Sequence, residues 1–327
     1  MARYILKRIL MAIPVLIGAT FLVFTILFFT PSDPARMILG SNATEEALEA
    51  MREELGVNDP FFVQYFNYMK GLLKGDMGKS YRNNKDVSEL IGGRLSNTLI
   101  LACSGMLFAI IIGIPVGILS AVKQYSLVDN TTMFITLFLT AVPTFWYALI
   151  LVIIFALKLH LFPASGMGQG LVPLLHSLVL PTITLGSGYA AMIARTTRSS
   201  VLEVIRQDYI DTARAKGVSE RTVIWKHMMK NALIPIVTIV GLNFGGLLGG
   251  SVLTETIFSW PGVGRFVVDS ISYRDTNAVL GCIVTLTITF TVVNLAVDII
   301  YALIDPRIKS QYAVPRRKKN AKAKNAV

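Results

Sequence analysis

The chain has 327 residues, 53% of them hydrophobic and only 16% charged, well below the roughly one quarter typical of soluble domains, which excludes a soluble globular protein. Its net charge of +11 would suit nucleic acid, but the basic residues sit in clusters beside apolar runs, which argues for membrane topology and against a nucleic-acid role. Only two cysteines are present, Cys103 and Cys282; each falls in a separate apolar run, where a small buried residue is expected rather than a disulfide or metal ligand.

A bilayer-crossing helix needs about 20 apolar residues. Six uncharged runs meet that length: 9–29, 99–122, 131–157, 171–194, 232–254 and 278–297, the last continuing past Asp298 to 304. The sequence therefore predicts an all-α polytopic membrane protein with six transmembrane helices. Arg3, Lys7 and Arg8 precede the first run, which is too long for a signal core and is followed by PSDPAR instead of a small-residue cleavage site. Residues 1–30 are read as the N-terminus and a retained first span.

Residues 31–96 form the next unit, where eight Lys/Arg are balanced by ten Asp/Glu. Asn42 and Glu45 predict a capping box, with Gly56 ending the helix. Asp59 and Pro60 predict a cap and a first-turn proline for the next. In that helix Phe61, Tyr65, Tyr68, Met69 and Leu72 recur at helical spacing, which predicts an external cap packed on the mouth of the spans. The stretch GDMGKS imitates a phosphate loop and fails, because Leu73 stands where the first glycine is required. Asp86 and Glu89 open the helix that leads into the second span.

The bundle occupies 97–304. Its spans are punctuated by Pro14, Pro115, Pro143, Pro181 and Pro235 and by Gly241, Gly245, Gly246, Gly249 and Gly250, which serve either a cavity or close helix packing. Ser187, Tyr189 and Asn243 face the interior, as interhelical hydrogen-bonding groups or as part of a substrate path, to which Trp146 and Tyr147 beside Pro143 are added. Glu255 ends the fifth span, and Asp298 lies near the last turn, hydrated or paired with Arg195 or Arg198; both are read as structural. With no midplane acid and no catalytic motif, an ion-driven carrier and an intramembrane enzyme are poorly supported.

Between the fourth and fifth spans, 195–231 is polar and carries eight Lys/Arg, and eight more lie in the tail 305–327. Together with Arg3, Lys7 and Arg8, these place both termini and this loop in the cytoplasm, in keeping with an even number of spans. Ser200 and Glu203 predict a capping box. Asp208 and Asp211, then Arg214 and Lys216, follow the charge order a helix dipole favours, and Gly217 stands where a left-handed residue ends the helix. Ser219 starts a further helix with Val223, Ile224, Met228 and Met229 on one face. The short helix 208–216 is expected to expose an apolar edge of Tyr209, Ile210 and Ala213, with Ala215 leaving room for another surface to approach. It is read as a docking helix.

At these residues the sequence resembles the permeases of bacterial ATP-binding cassette importers, in the dipeptide/oligopeptide/nickel branch. TARAKG with NALIP downstream matches their loop; Asp211 and Thr212 depart from the general E-A-A pattern, and Pro235 lies farther from Gly217 than that pattern allows. YILKRIL, GDMGKS, PVGILSAVK, RTTRSSVLEV, ETIFSWPGVGR and VDIIYALIDPRIK extend the resemblance along nearly the whole chain. It implies a non-catalytic permease subunit in the bacterial cell membrane, with no cofactor of its own. The partners implied are a homologous second permease, two cytoplasmic ATPases carrying ATP and Mg, and an external solute-binding protein that delivers short peptides. Coupling to the ATPase is implied for Asp208, Tyr209, Asp211, Ala213, Arg214, Ala215, Lys216 and Gly217. An external mouth is implied for Glu255, Trp260, Pro261 and Gly262. A nickel, metallophore or glutathione importer is the alternative within the family; a stand-alone channel or carrier, or a scaffold, is the alternative outside it.

Overall fold

Inside lipid a backbone finds hydrogen-bond partners only in itself, so uncharged apolar runs of this length fold as helices. The computed structural model describes residues 2–30, 33–40 and 42–304, and the described residues contain thirteen α-helices, two π segments and an isolated bridge between Lys79 and Asp86. The tail 305–327 and the side chains of Arg3, Lys7, Arg8 and Asp298 lie outside what is described.

In chain order the helices are α1 (Ala2–Phe29), α2 (Pro34–Leu39), α3 (Glu45–Glu54), α4 (Phe61–Leu73), α5 (Val87–Val122), α6 (Leu127–Ala141), α7 (Thr144–Leu151), α8 (Leu171–Ile205), α9 (Asp208–Ala215), α10 (Glu220–Thr222), α11 (Met229–Ile257), α12 (Val263–Ser272) and α13 (Thr276–Ile304). The π segments Val152–Lys158 and Val223–Met228 continue α7 and α10. Five helices are long and apolar enough to cross a membrane, and six spans result if one bent pair is counted as a single crossing.

That bent pair replaces the expected third span. α6 and α7 meet at 107°. Val142 takes extended backbone (φ −74°, ψ 130°), the conformation a residue before proline prefers, and Pro143 has no N–H to extend the ladder of α6. Pro14, Pro115, Pro181 and Pro235 all sit inside unbroken helices.

α5 and α8 form the spine of the bundle. A Cβ on Gly113 would meet the Ala190 carbonyl and Ile193, and one on Gly117 would meet the Ala194 carbonyl and Thr197, so both glycines permit a contact that no other residue allows. At 36 residues α5 is about 54 Å long and overreaches the hydrocarbon core. Its two ends belong to different cores. The Val87 end packs with Val263, Phe266 and Val267 of α12 and with Ala278 and Cys282 of α13. The other end, through Ile118 and Ala121, packs with α9 and the start of α11.

The cap assembles on α1, and the expected face of α4 is the one it uses. Phe61 and Tyr65 pack edge-on against Phe24 with ring centroids 5.4 Å away, and the Tyr65 hydroxyl donates to the Ile17 carbonyl at 3.1 Å. Some caps differ from expectation. Thr44, not Asn42, caps α3; Pro60 is itself the N-cap of α4; Ser200 lies inside α8, which runs on to Ile205. Cys282 is buried as expected, whereas Cys103 is exposed on the apolar surface.

The failed phosphate loop has a packing role. The Ser80 hydroxyl donates to buried Asp275 at 2.5 Å, Asn277 Nδ2 donates to the Lys79 carbonyl at 3.0 Å, and the Arg82 guanidinium lies 3.5 Å above the Tyr273 ring. GDMGKS thus clasps the start of α13.

Candidate functional site

α9 stands at the end of α8 as a separately capped rod. Gly217 has φ +74°, Gly217 N–H bonds the Arg214 carbonyl at 2.9 Å, and Val218 N–H bonds the Ala213 carbonyl at 3.2 Å. This is a Schellman ending, and only glycine takes that backbone without strain. Asp208 and Asp211 lie in the first turn and Arg214 in the last.

Of the expected apolar edge only Tyr209 is exposed. Ile210 and Ala213 are buried against Ile118, Ala121, Val201, Val223, Met228 and Met229, because an eight-residue helix this amphipathic gains more from its own chain's core than from solvent. What α9 and its ending present outward is mostly polar, through Asp208, Asp211, Thr212 and Lys216, with the small Ala215 and Gly217 and the Tyr209 ring also exposed. Asn231 Nδ2 donates to the Tyr209 hydroxyl at 2.7 Å. Arg214 makes a two-pronged pair with Glu220, with Nη2 to Oε1 at 2.6 Å and Nε to Oε2 at 3.2 Å, which ties α9 to α10. Eight residues named from sequence therefore form one small body, of which Ala213 faces inward.

A cavity of about 270 Å³ opens at the α6–α7 bend, between that bend and α8. Tyr147, Ser187 and Tyr189 line it together with Thr140, Thr144 and Thr184. The lining carries hydroxyls and no charge. Thr184 is buried and its hydroxyl has no hydrogen-bond partner. Gly246 and Gly250 of α11 face the Tyr189 hydroxyl, so both anticipated roles of that glycine cluster occur: Gly241 and Gly245 instead admit Val297 and Phe290 of α13. Two of the residues named for this path are elsewhere. Trp146 is exposed on the outer surface, and the Asn243 amide donates to the Ile239 carbonyl of its own helix at 2.8 Å.

At the opposite end of the bundle from α9, Glu255, Trp260, Pro261 and Gly262 come together as a locked turn. Glu255 is fully buried and accepts from the Thr98 hydroxyl at 2.8 Å, the Ser251 hydroxyl at 3.2 Å and the Arg265 N–H at 2.9 Å. Trp260 is buried too, its Nε1 donating to the Asn97 carbonyl at 2.9 Å, while Asn97 Nδ2 returns a bond to the Pro261 carbonyl at 2.9 Å. Pro261 is the exposed member. After this turn the chain continues as helix α12.

Sequence reasoning missed Asp129. It is 2% exposed and bound by both nitrogens of one edge of Arg198, Nε at 2.6 Å and Nη2 at 2.8 Å. Arg198 thus pairs with Asp129, while the side chain of Asp298 lies outside the described residues. The spacing Ser126-x-x-Asp129 was the available signal: the Ser126 hydroxyl caps α6 by accepting from the Asp129 N–H at 3.3 Å. Thr98, Thr140 and Thr184 carry no signal that separates them from other threonines in apolar runs.

Two family models match this chain. Residues 113–310 match the binding-protein-dependent transport system inner membrane component, and residues 1–102 match the N-terminal component of such systems. Over 332 aligned residues the chain is 45% identical to the dipeptide transport system permease protein DppB of Alkalihalophilus pseudofirmus, covering 94% of this chain and 100% of that protein. It is 41% identical to the oligopeptide transport system permease protein AppB of Bacillus subtilis, again over 94% of this chain and 100% of that one. Against the glutathione transport system permease protein GsiC of Escherichia coli K12 the identity is 38%, over 94% of this chain and 99% of that protein. Among solved structures, inward-facing forms of the MetNI methionine ABC transporter share the fold, with TM-scores of 0.52 and 0.55 at 20% identity, over 66% of this chain and 96% of that chain.

Proposed function

The chain belongs to the family of binding-protein-dependent transport system inner membrane components, and from that premise we propose that it is the permease subunit of an ATP-driven importer of short peptides. The observation that carries this reading is the end-to-end match with a dipeptide and an oligopeptide permease. In this reading the α9 end lies in the cytoplasm and the cap lies outside. Two cytoplasmic ATPases, with their ATP and Mg, engage the polar face of α9, a homologous second permease completes the bundle, and an external solute-binding protein delivers the peptide. The cell membrane of a bacterium is its location.

The rod and the cavity support a mechanical role. α9 is closed at its end by Gly217 and bonded to α10 through Arg214, so a push on its outer face moves it as a unit. Such a push acts on the transport cycle only if the ATPase contacts α9 differently in its two states. Tyr147, Ser187 and Tyr189 are the path residues retained, around a neutral cavity whose hydroxyls suit peptide amides better than charged side chains. The turn around Glu255 and Trp260 acts as a rigid seat near the mouth, with Pro261 as its exposed edge.

The glutathione reading rests on the 38% identity to a glutathione permease. The test is uptake of labelled dialanine into proteoliposomes holding this chain, the second permease, the ATPases and the binding protein. ATP-dependent uptake, weakened by excess unlabelled dialanine but not by glutathione, is expected. Uptake displaced only by glutathione would transfer the assignment, and uptake by this chain alone without ATP would overturn it.

A further inference from the structure

The pair Asp129–Arg198, with a buried carboxylate and a partly buried guanidinium, joins two parts of the molecule that the fold otherwise separates. Arg198 lies on α8, seven positions and so about 10 Å along the axis before that helix ends at Ile205, and α9 begins at Asp208. Asp129 lies in the first turn of α6, the helix whose far end carries Leu139 and Thr140 into the cavity and breaks at Pro143. No other described acid–base pair bridges α6 and α8.

The carboxylate of Asp129 is saturated. Oδ1 accepts from the Ser120 hydroxyl at 2.5 Å and from Arg198 Nε at 2.6 Å; Oδ2 accepts from the Tyr125 N–H at 3.0 Å and from Arg198 Nη2 at 2.8 Å. Ser120 lies in the last turn of α5, and Tyr125 holds a left-handed φ of 61° in the turn between α5 and α6. One side chain thus gathers the end of α5, the α5–α6 turn, the start of α6 and the last two turns of α8. The end of α5 and α8 in turn hold α9, through Ile118, Ala121 and Val201 against Ile210 and Ala213.

We infer that Asp129 and Arg198 are the positioning pair that carries movement of α9 and α8 into α6, and so to the α6–α7 bend at the cavity. A two-pronged guanidinium–carboxylate contact resists both sliding and rotation, which a single hydrogen bond or an apolar contact does not. Burial of the carboxylate gives it rigidity, because opening the pair strands the Asp129 charge away from water. Without it α6 is held to α8 by apolar contacts alone, and α9 can tilt while the bend stays where it is. Ser120 and Tyr125 set the carboxylate so that both prongs engage.

This inference rests on the importer reading above, and its test is the same reconstituted complex with labelled dialanine. Asp129→Asn, Arg198→Gln and the double variant are compared with the unaltered chain for assembly, ATP hydrolysis and uptake. The expected result is a fall of at least tenfold in dialanine moved per ATP hydrolysed, with assembly and hydrolysis kept, and a double variant no worse than the worse single one. If either single variant fails to assemble, Ser120→Ala, which loosens the carboxylate without unpairing a charge, is expected to lower the same ratio about two- to fivefold. Unchanged uptake per ATP in variants that assemble, or losses that multiply in the double variant, would overturn the pair's role and leave the importer reading standing. An unaltered complex that moves no dialanine with ATP would instead overturn the importer reading.

Discussion

Glu255 and Gly262 show how tightly single residues determine the turn between α11 and α12. A Cβ on Gly262 would overlap the Glu255 carboxyl, which is itself fixed by Thr98, Ser251 and the Arg265 N–H. Gly262→Ala is expected to cost about 1–3 kcal/mol as overpacking, and Glu255→Ala a similar amount as three buried donors lose their acceptor. The double variant should recover part of the loss, since removing the carboxyl makes room for the new methyl. Thermal unfolding of the detergent-solubilised protein measures all three; strictly additive losses would mean that the two residues are not in the contact described. At this scale Gly217 was legible in sequence, because a glycine directly after a short charged helix has one common backbone role. Thr98, which lies 157 positions from Glu255, was not, because nothing local marks a threonine as the partner of a distant acid.

At the scale of elements, α9 carries the clearest expectations. Gly217→Pro imposes a φ near −65° where the backbone holds +74°, and it deletes the N–H that bonds the Arg214 carbonyl. Arg214→Glu places three carboxylates together with Asp211 and Glu220. Both variants should reach the membrane in normal amounts and lose more than nine-tenths of ATP-dependent uptake, measured alongside immunoblotting of the membrane fraction. Normal uptake in both would remove α9 from the coupling path. The element pattern itself was largely readable. The start of α5 after Asp86, the rod between Asp208 and Gly217, and the aromatic face of α4 all follow from caps and spacing. The bend at Pro143 was not, since Pro115, Pro181 and Pro235 sit in equally apolar runs without breaking them. Which proline breaks a helix depends on the neighbours that can satisfy the freed carbonyls, and those neighbours are set by packing. The apolar edge of α9 was misjudged for the same reason: its amphipathicity was visible, but whether the partner was this chain or another was not.

At the scale of the whole molecule, the distribution of its surfaces decides which parts meet water. Large apolar side chains are exposed along α1 and α6, among them Leu10, Leu22, Phe134 and Leu137, as expected for faces turned to lipid. Polar surface is concentrated at the two ends of α5, the cap at one and α9 at the other, about 54 Å apart along its 36 residues. A helix that long cannot hide both ends in one bilayer, and in the proposed reading the cap and α9 stand in different compartments. In the proposed reading the excess of Lys/Arg between 195 and 230 sets the α9 end in the cytoplasm by the positive-inside tendency, whereas the cap, with balanced charge, gives no direction of its own. Only this orientation brings α9 within reach of ATP. Single cysteines decide it: Lys74→Cys in the cap and Lys216→Cys after α9, each in a Cys103→Ser, Cys282→Ala background, exposed in intact cells to a maleimide that cannot cross membranes. Position 74 should label at once and position 216 only after permeabilisation, both residues being exposed on the protein surface. The reverse pattern would place the rod outside, where no ATPase can push it, and coupling through α9 would fall together with the route through Arg198 and Asp129 to the cavity.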